Sequence, residues 1–272
     1  HQKQMSEIPP ILGKYPFVDS LAVFSRILLL FLDLLSNMNP KTFFNWSSGK
    51  DAALALHYLL QDASYQVEYL LTTVSAEHNR VSMHGLRAAL LRQQLDAIGI
   101  PYGLVELSED TTHATYEQVM KQEMGRLKAQ GCTHAAFGDI FLEDLRKYRE
   151  DQLASCGMQG VFPLWKRDTT ELIHEFLDLG FRSVVVCVNG ALLDPSFAGR
   201  VIDKDFIKDL PKNVDPCGEN GEFHTFCFDA PFFQASIDYV IGETVSKIYR
   251  NGEQEYTYWF CDLLSEKVDA QA

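Results

Sequence analysis

Phe43-Phe44-Asn45-Trp46-Ser47-Ser48-Gly49-Lys50-Asp51-Ala52-Ala53-Leu54-Ala55-Leu56 decides how the rest of the chain is read. Aromatic residues give way to small polar residues and one glycine, and Ala52, Leu56 and Leu59 then recur at helical spacing. The order predicts a strand, a tight loop and an amphipathic helix. Free N–H groups and the positive end of a helix dipole at such a loop make a site for phosphate. Lys50 adds a point charge, and Gly49 removes the Cβ that would hold an anion off the backbone. The Walker spacing is absent, because Asp51 follows Gly49-Lys50 and Phe44 stands where the earlier glycine would be. The plain alternative is a helix start capped by Ser47 or Ser48, with Asp51 favouring the dipole. On this loop alone the two readings weigh evenly.

Outward from the loop, strand and helix patterns alternate, which predicts a mostly parallel sheet covered on both faces. Strands are expected at 42–46, 67–74, 102–107, 134–138 and 182–188. The helical stripes between them are Ala52, Leu56 and Leu59; then Leu86, Leu90 and Leu91; then Tyr116, Val119, Met120, Met124 and Leu127, ended by Gly131 as a C-cap. The style changes near Phe162-Pro163-Leu164-Trp165. Beyond it come a helix at 169–179, the 182–188 strand, a looser Gly-, Pro- and Asp-rich stretch, and two strands within 237–264 joined by the hairpin signal Asn251-Gly252. The expected organisation is a nucleotide-binding α/β domain over 38–165 and a smaller α/β domain over 166–272. Residues 1–37 are expected to be an upstream extension or a misassigned start, or else an added helix. Their apolar run 21–35 is broken by Arg26 and Asp33 and falls short of the ~20 apolar residues of a bilayer span.

The 272 residues suffice for one large or two modest domains, and 46% apolar with 22% charged residues is ordinary for a soluble globular chain. A net charge of −13 argues against a general nucleic-acid binder. The six cysteines are scattered without a C-x-x-C pair, which speaks against a structural zinc site and for reduced thiols in a cytoplasm.

Two further stretches carry candidate chemistry. Gly138-Asp139-Ile140-Phe141-Leu142-Glu143-Asp144-Leu145-Arg146-Lys147-Tyr148-Arg149-Glu150 follows a strand, so Gly138 and Asp139 are expected at the carboxyl edge of the sheet, where open α/β sheets place ligands. Asp139 there can hold magnesium or orient a substrate, and Arg146 and Arg149 can reach phosphate; the plain reading of Glu143, Lys147 and Glu150 is a solvated ion-pair face. Asn213-Val214-Asp215-Pro216-Cys217-Gly218-Glu219-Asn220-Gly221-Glu222-Phe223-His224-Thr225-Phe226 sets Gly218 and Gly221 beside the acids Glu219 and Glu222, ahead of an alternating strand with Phe223, Thr225 and Cys227 on one face. By itself it reads more simply as a turn at Asn220-Gly221 with solvated acids. His84, before the second helical stripe, reads equally as a ligand-facing residue near a nucleotide or as a polar helix start. The other histidines show no metal spacing.

Taken in order, S-S-G-K-D-A at 47–52, G-D-I-F-L-E-D-L-R-K-Y-R-E at 138–150, P-L-W at 163–165 and D-P-C-G-E-N-G-E-F-H-T-F at 215–226 resemble the diphthine–ammonia ligase family of PP-loop ATP pyrophosphatases. The resemblance spans roughly 41–233 and rests most on the D-P-C-G-E-N-G-E-F-H-T-F motif. It implies a HUP-like, Rossmann-type parallel sheet domain followed by a smaller α/β domain. It also implies a ligase that activates a carboxylate with ATP and Mg²⁺ through an acyl-adenylate, releases pyrophosphate, and lets ammonia displace AMP to form an amide. The acceptor in that family is diphthine on elongation factor 2.

Carried over residue by residue, Ser47, Ser48, Gly49, Lys50 and Asp51 would hold the phosphates, with Asp51 the magnesium ligand. Thr72 and Thr73 would border adenine, with Gly138 and His84 nearby. Gly218, Glu219, Gly221, Glu222 and His224 would line the acceptor side with Arg146 and Arg149, and one of Glu219 and Glu222 would bind ammonium or take its proton. Lys50, Asp51, Asp139, Glu219 and Glu222 form the expected catalytic set. The loop departs from the family's S-G-G-x-D-S pattern at Ser48 and Ala52, one narrowing the space for pyrophosphate and the other removing a hydroxyl. These departures favour a second reading, a nucleotide-binding module without turnover. A third reading, a PP-loop enzyme of tRNA modification, would call for basic surface or relay cysteines that the sequence does not display. Expected partners are ATP, ammonia and a carboxylate acceptor, with no nucleic acid, no membrane, and a homo-oligomer as an open option.

Overall fold

The computed structural model describes residues 39–81, 85–108, 112–251 and 254–266. The expected extension at 1–37 and His84 lie outside the described residues.

Six strands form the first sheet: β1 (Lys41–Asn45), β2 (Gln66–Ser75), β3 (Arg80–Val81), β4 (Tyr102–Leu107), β5 (His134–Ala136) and β6 (Gln159–Val161). β4, β2, β1, β5 and β6 run parallel in that spatial order, while β3 pairs antiparallel with Val74 and Ser75 of β2. Phe43 and Phe44, adjacent in β1, are both buried, as expected of a central strand covered on both faces. Four helices alternate with these strands: α1 (Lys50–Gln61), α2 (Ala88–Ile98), α3 (His113–Ala129) and α4 (Glu143–Ser155). Leu54 and Leu56 of α1 and Leu90 and Leu91 of α2 pack in one core with Phe44, whereas Met124 and Leu127 of α3 and Leu153 of α4 pack in a second core with Phe43. The chain therefore leaves β1 toward one face and β5 toward the other. These neighbouring strands flank the topological switch point of the sheet, where a crevice opens at their carboxyl ends.

The remaining strands, β7 (Arg182–Asn189), β8 (Phe223–Asp229), β9 (Val240–Asn251) and β10 (Gln254–Leu264), form an antiparallel sheet in the order β8-β7-β10-β9. The 182–188 run, counted among the alternating strands in the sequence, belongs here. Ser183 through Val188 are all buried, and a run buried on both faces does not reveal the direction of its neighbours. β9 and β10 pair as the hairpin signal predicts, the turn residues 252–253 lying outside the described residues. Two helices flank this sheet, α5 (Thr169–Asp178) and α6 (Lys204–Asp209). Asp168 caps α5 by accepting the Glu171 N–H.

One apolar core runs from Phe44 and Leu56 through Phe176 and Val186 to Phe226 and Cys227, so α1 is packed between the two sheets. That explains why Ala53, Leu54 and Ala55 are buried beyond the expected stripe. All six cysteines are free and five are buried, as small apolar side chains. Among the described residues no helix is long and apolar enough to cross a membrane.

Candidate functional site

The loop leaving β1 is fastened from three sides. The Trp46 N–H donates to the Leu71 carbonyl at 2.8 Å, its indole Nε1 to Gln94 Oε1 at 2.8 Å, and the Thr72 hydroxyl to the Trp46 carbonyl at 2.9 Å. Ser48 then turns the chain with φ +71°, in the left-handed region that glycine adopts without strain. Gly49, not either serine, is the N-cap of α1, and no side chain caps the helix. The Ser48 carbonyl accepts the Cys227 N–H of β8 at 2.9 Å and Gln94 Nε2 at 3.0 Å. Its hydroxyl is buried without a hydrogen-bond partner. The Lys50 N–H is already taken, donating to Thr225 Oγ1 of β8 at 3.0 Å.

Lys50 and Asp51 form a compact pair at the start of α1. Lys50 Nζ lies 2.9 and 2.7 Å from the two Asp51 oxygens, also donates to the Cys217 carbonyl, and sits 5.4 Å from the centre of the Phe223 ring. The lysine side chain is only 3% exposed, the aspartate 29%. Burial works against the ammonium, but Asp51, with the groups around Cys217, outweighs it and holds the Lys50 pKa above its ordinary value. Burial pushes the Asp51 carboxyl upward, with Lys50 pulling the other way and Asp215 adding to the rise.

β5 brings the second stretch to the same place. A Cβ on Gly138 would stand 2.9 Å from the Ala52 N and 3.0 Å from its Cα, so only glycine lets β5 approach the first turn of α1 this closely. Asp139 pairs with Arg149, whose Nε lies 2.7 Å from Oδ2. Arg149 in turn stacks on the Phe137 ring at 4.3 Å. Burial raises the Asp139 carboxyl, Arg149 pulls it back, and the Asp51 charge adds to the rise, which ties the two loops electrostatically.

The third stretch closes the site from the second sheet. Glu219 Oε1 accepts the Ile140 N–H at 2.8 Å and the Phe141 N–H at 3.4 Å, bridging the Cys217–Glu222 turn to the segment after β5. Burial, with Asp51 reinforcing it, pushes the Glu219 carboxyl up to about 7 against those amides and Lys50. Glu222 is 2% exposed and braces its own turn, accepting the N–H groups of Asp215 at 3.0 Å and Asn220 at 2.8 Å and the Asn220 amide at 3.1 Å. Gly218 has φ +71° and packs its backbone on Phe223; Gly221 has φ +82°. Burial and the Lys50 charge push the His224 imidazole down to about 4.

Ser47–Asp51, Gly138, Asp139, Arg149 and Gly218–His224 therefore converge on the carboxyl ends of β1 and β5. Arg146 does not join them. It pairs with Glu150 at 2.8 Å, lies 4.6 and 4.5 Å from the Phe162 and Trp165 rings, and lines a groove with Tyr58, Leu59 and Asp62 at the far end of α1 from Lys50. Thr72 is 3% exposed and spends its hydroxyl on Trp46, leaving Thr73 the more open of the two.

Gln94, Thr169, Asp215 and the Cys217 carbonyl belong to the site without having been singled out in the sequence. Asp215 accepts the Thr169 hydroxyl at 2.6 Å and the Cys217 N–H at 2.9 Å. Its place in the D-P-C-G run was a signal; Gln94, a lone amide on an apolar helix face, gave none. A narrow cleft over the switch point is lined by Asn45, Tyr116, Met120, Phe137, Tyr148 and Arg149. A separate cavity of about 330 Å³ lies between Arg80 at the end of the first sheet and the β9–β10 hairpin. Among the described residues no three His, Cys, Asp or Glu side chains are grouped to hold a metal ion by themselves.

The family model of the diphthamide synthase N-terminal domain matches residues 40–160, and that of the diphthamide synthase C-terminal domain matches residues 168–260. The chain is 25% identical over 214 residues to the diphthine–ammonia ligase of Danio rerio, covering 65% of this chain and 82% of that protein. With the diphthine–ammonia ligases of Bos taurus and Homo sapiens it shares 28% identity over 102 residues, 35% of this chain, and the matched part spans only 38% of each of those relatives. Among solved structures, the U34-tRNA thiolase NcsA of Methanococcus maripaludis aligns with 52% of this chain and 57% of its own at a TM-score of 0.32 and 19% identity. The two domain matches together cover most of the sequence, and the chain belongs to the diphthamide synthase family.

Proposed function

We propose that this chain is an ATP-dependent, amide-forming ligase that joins ammonia to the carboxylate of diphthine on elongation factor 2, with AMP and pyrophosphate as products. The observation that carries the reading is the convergence of the 47–51 loop, Asp139 and the Cys217–Glu222 turn at one switch point, the position where open α/β sheets bind nucleotides. Family membership supports the same reaction.

The chemistry divides among these residues in a definite way. The loop amides and Lys50 neutralise the outer two phosphates while the acceptor carboxylate oxygen attacks the inner one, breaking the bond to pyrophosphate. Ammonia then attacks the acyl carbon and AMP leaves, the surplus proton passing to a base. Glu219, with its carboxyl near neutrality, suits that base, and Glu222 holds the turn that presents it. Arg149, released from Asp139, has the reach to meet a phosphate over the switch point, and Thr73 borders the base. Mg²⁺ takes one or two carboxylates together with substrate phosphates, and Asp51, the partly open carboxylate at the loop, fits that donor set. Bound there, the ion would offset charge on the triphosphate. The division of labour we assign is nucleotide on the residues before Trp165 and acceptor on those after it.

The test is release of AMP and pyrophosphate from ATP in the presence of ammonium and diphthine-bearing elongation factor 2. AMP that depends on the acceptor and disappears in Asp51→Ala, with ATP binding retained in Glu219→Gln, supports the ligase. A second reading, nucleotide binding without turnover, is favoured by the buried left-handed Ser48 and by a Lys50 ammonium already engaged with Asp51 and Cys217. ATP binding with no AMP across a panel of carboxylates would select it.

A further inference from the structure

β9 is the outer strand of the second sheet, bonded along one edge to β10 and along the other to no strand among the described residues. The opposite end of that sheet is covered, because the Cys227 N–H of β8 donates to the Ser48 carbonyl and Thr225 Oγ1 accepts the Lys50 N–H. Five of the eight large apolar side chains exposed among the described residues lie on β9: Val240, Ile241, Val245, Ile248 and Tyr249, exposed by 44 to 59%. A twelve-residue edge with apolar side chains on both faces is a template for another strand.

We propose that β9 pairs antiparallel with β9 of a second copy of this chain, about a twofold axis at Val245. Charge fixes that register. In an antiparallel self-pairing centred on Val245, Glu243 of each copy falls opposite Lys247 of the other, Thr244 falls opposite Ser246, and Val245 meets itself. Neither Glu243 nor Lys247 forms an ion pair among the described residues; the contact recorded for Lys247 is with the Phe260 ring at 5.8 Å. Moving the centre two residues either way sets Lys247 against Lys247 or Glu243 against Glu243, and a centre at Thr244 or Ser246 leaves both charges opposite apolar side chains, so the Val245 register is the one among these that pairs them.

The β9–β10 ladder shifts register between Cys261 and Leu263, which places an extra β9 residue at 242–243, so the regular pairing with the second copy ends at the Glu243–Lys247 rung. Because the same surface serves both copies, the contact closes as a dimer and does not propagate. Glu243, Val245 and Lys247 also line the 330 Å³ cavity beside Arg80, Phe260 and Asp262, so the second strand extends the cavity wall.

Sedimentation of the full chain tests this, with a species of twice the 30.9 kDa chain mass expected. Glu243→Lys and Lys247→Glu each set like charges opposite one another at both ends of the pairing and are expected to weaken association about tenfold. An equimolar mixture of the two variants, and the double variant Glu243→Lys/Lys247→Glu, both restore opposite charges and are expected to recover the dimer. That recovery separates a lost contact from a lost fold. Mild oxidation of Val245→Cys is expected to give a covalent dimer that the unmodified chain does not form. A monomeric wild-type chain, with β9 left open, covered by residues 1–38 or kept for another protein, overturns the proposal. So does a dimer that neither charge reversal weakens, or one that neither recombination restores.

Discussion

The hydroxyl of Thr225 accepts the backbone N–H of Lys50 at 3.0 Å across a sequence separation of 175 residues, so a strand of the second sheet holds the loop that follows the first strand. Thr225→Val keeps the shape and removes the acceptor, leaving a buried N–H without a partner. The expected loss is about 1–3 kcal/mol in urea unfolding, with Thr225→Ser close to wild type. Equal stabilities of the Val and Ser variants would show that this bond does not hold the loop.

Ser48 combines a left-handed backbone with a buried, unpartnered hydroxyl. Ser48→Gly relieves both, against the extra freedom glycine has when unfolded, and a net gain of about 1 kcal/mol is expected. Ser48→Ala relieves only the hydroxyl and is expected to gain less. Thermal unfolding of the three proteins orders them, and an Ala variant as stable as the Gly variant would assign the cost to the hydroxyl alone. Pyrophosphate should bind Ser48→Gly more tightly than wild type, since the site loses a Cβ.

Acid–base behaviour divides between Glu219 and His224. Glu219, pushed to about 7 from 4.5, keeps its proton in the folded state after the unfolded chain has lost it, so its contribution is in place below about pH 4.5 and is lost as pH rises through about 7. His224, pushed down to about 4 from 6.5, acts in the opposite sense: the unfolded chain binds the extra proton, and stability rises from about pH 4 to about 6.5. Glu219→Gln removes the first effect, and its denaturation midpoint should climb more steeply than that of wild type between pH 4.5 and 6.5. Parallel profiles for the two proteins would contradict the raised Glu219 carboxyl.

At Gly138 the constraint is steric. A Cβ there would stand 2.9 Å from the backbone of Ala52, with no flexible side chain to give way. Gly138→Ala is expected to cost about 1–3 kcal/mol, as overpacking against fixed backbone does, and to weaken nucleotide binding by shifting the start of α1. An alanine variant with wild-type stability and affinity would mean that β5 and α1 can separate freely.

Much of this was legible in the sequence, for identifiable reasons. The β1–loop–α1 unit was readable because its strand, its small residues and its helical stripe follow one another locally. Asp139 was placed at a strand end by position alone, and the structure sets it just past β5, where it feels the Asp51 charge. What a sequence does not display is pairing between distant parts. The Gln94 amide, bonded to Trp46 and Ser48, sits on an otherwise apolar helix face with no local signal. Glu222 and Glu219 look alike in the motif, yet one closes its own turn and the other reaches Ile140, a difference set by side-chain direction in the fold. Strands as short as β3 and β6, of two and three residues, carry no period to read.

The most direct test of the central claim is a crystal structure with a non-hydrolysable ATP analogue. The outer two phosphates are expected against the Ser48, Gly49 and Asp51 amides beside the Lys50 ammonium, with the Lys50 N–H kept by Thr225 and the inner phosphate facing Asp139 and the Glu219 turn. A triphosphate bound elsewhere, such as in the cavity beneath the β9–β10 hairpin, with the 47–51 loop empty, would contradict it.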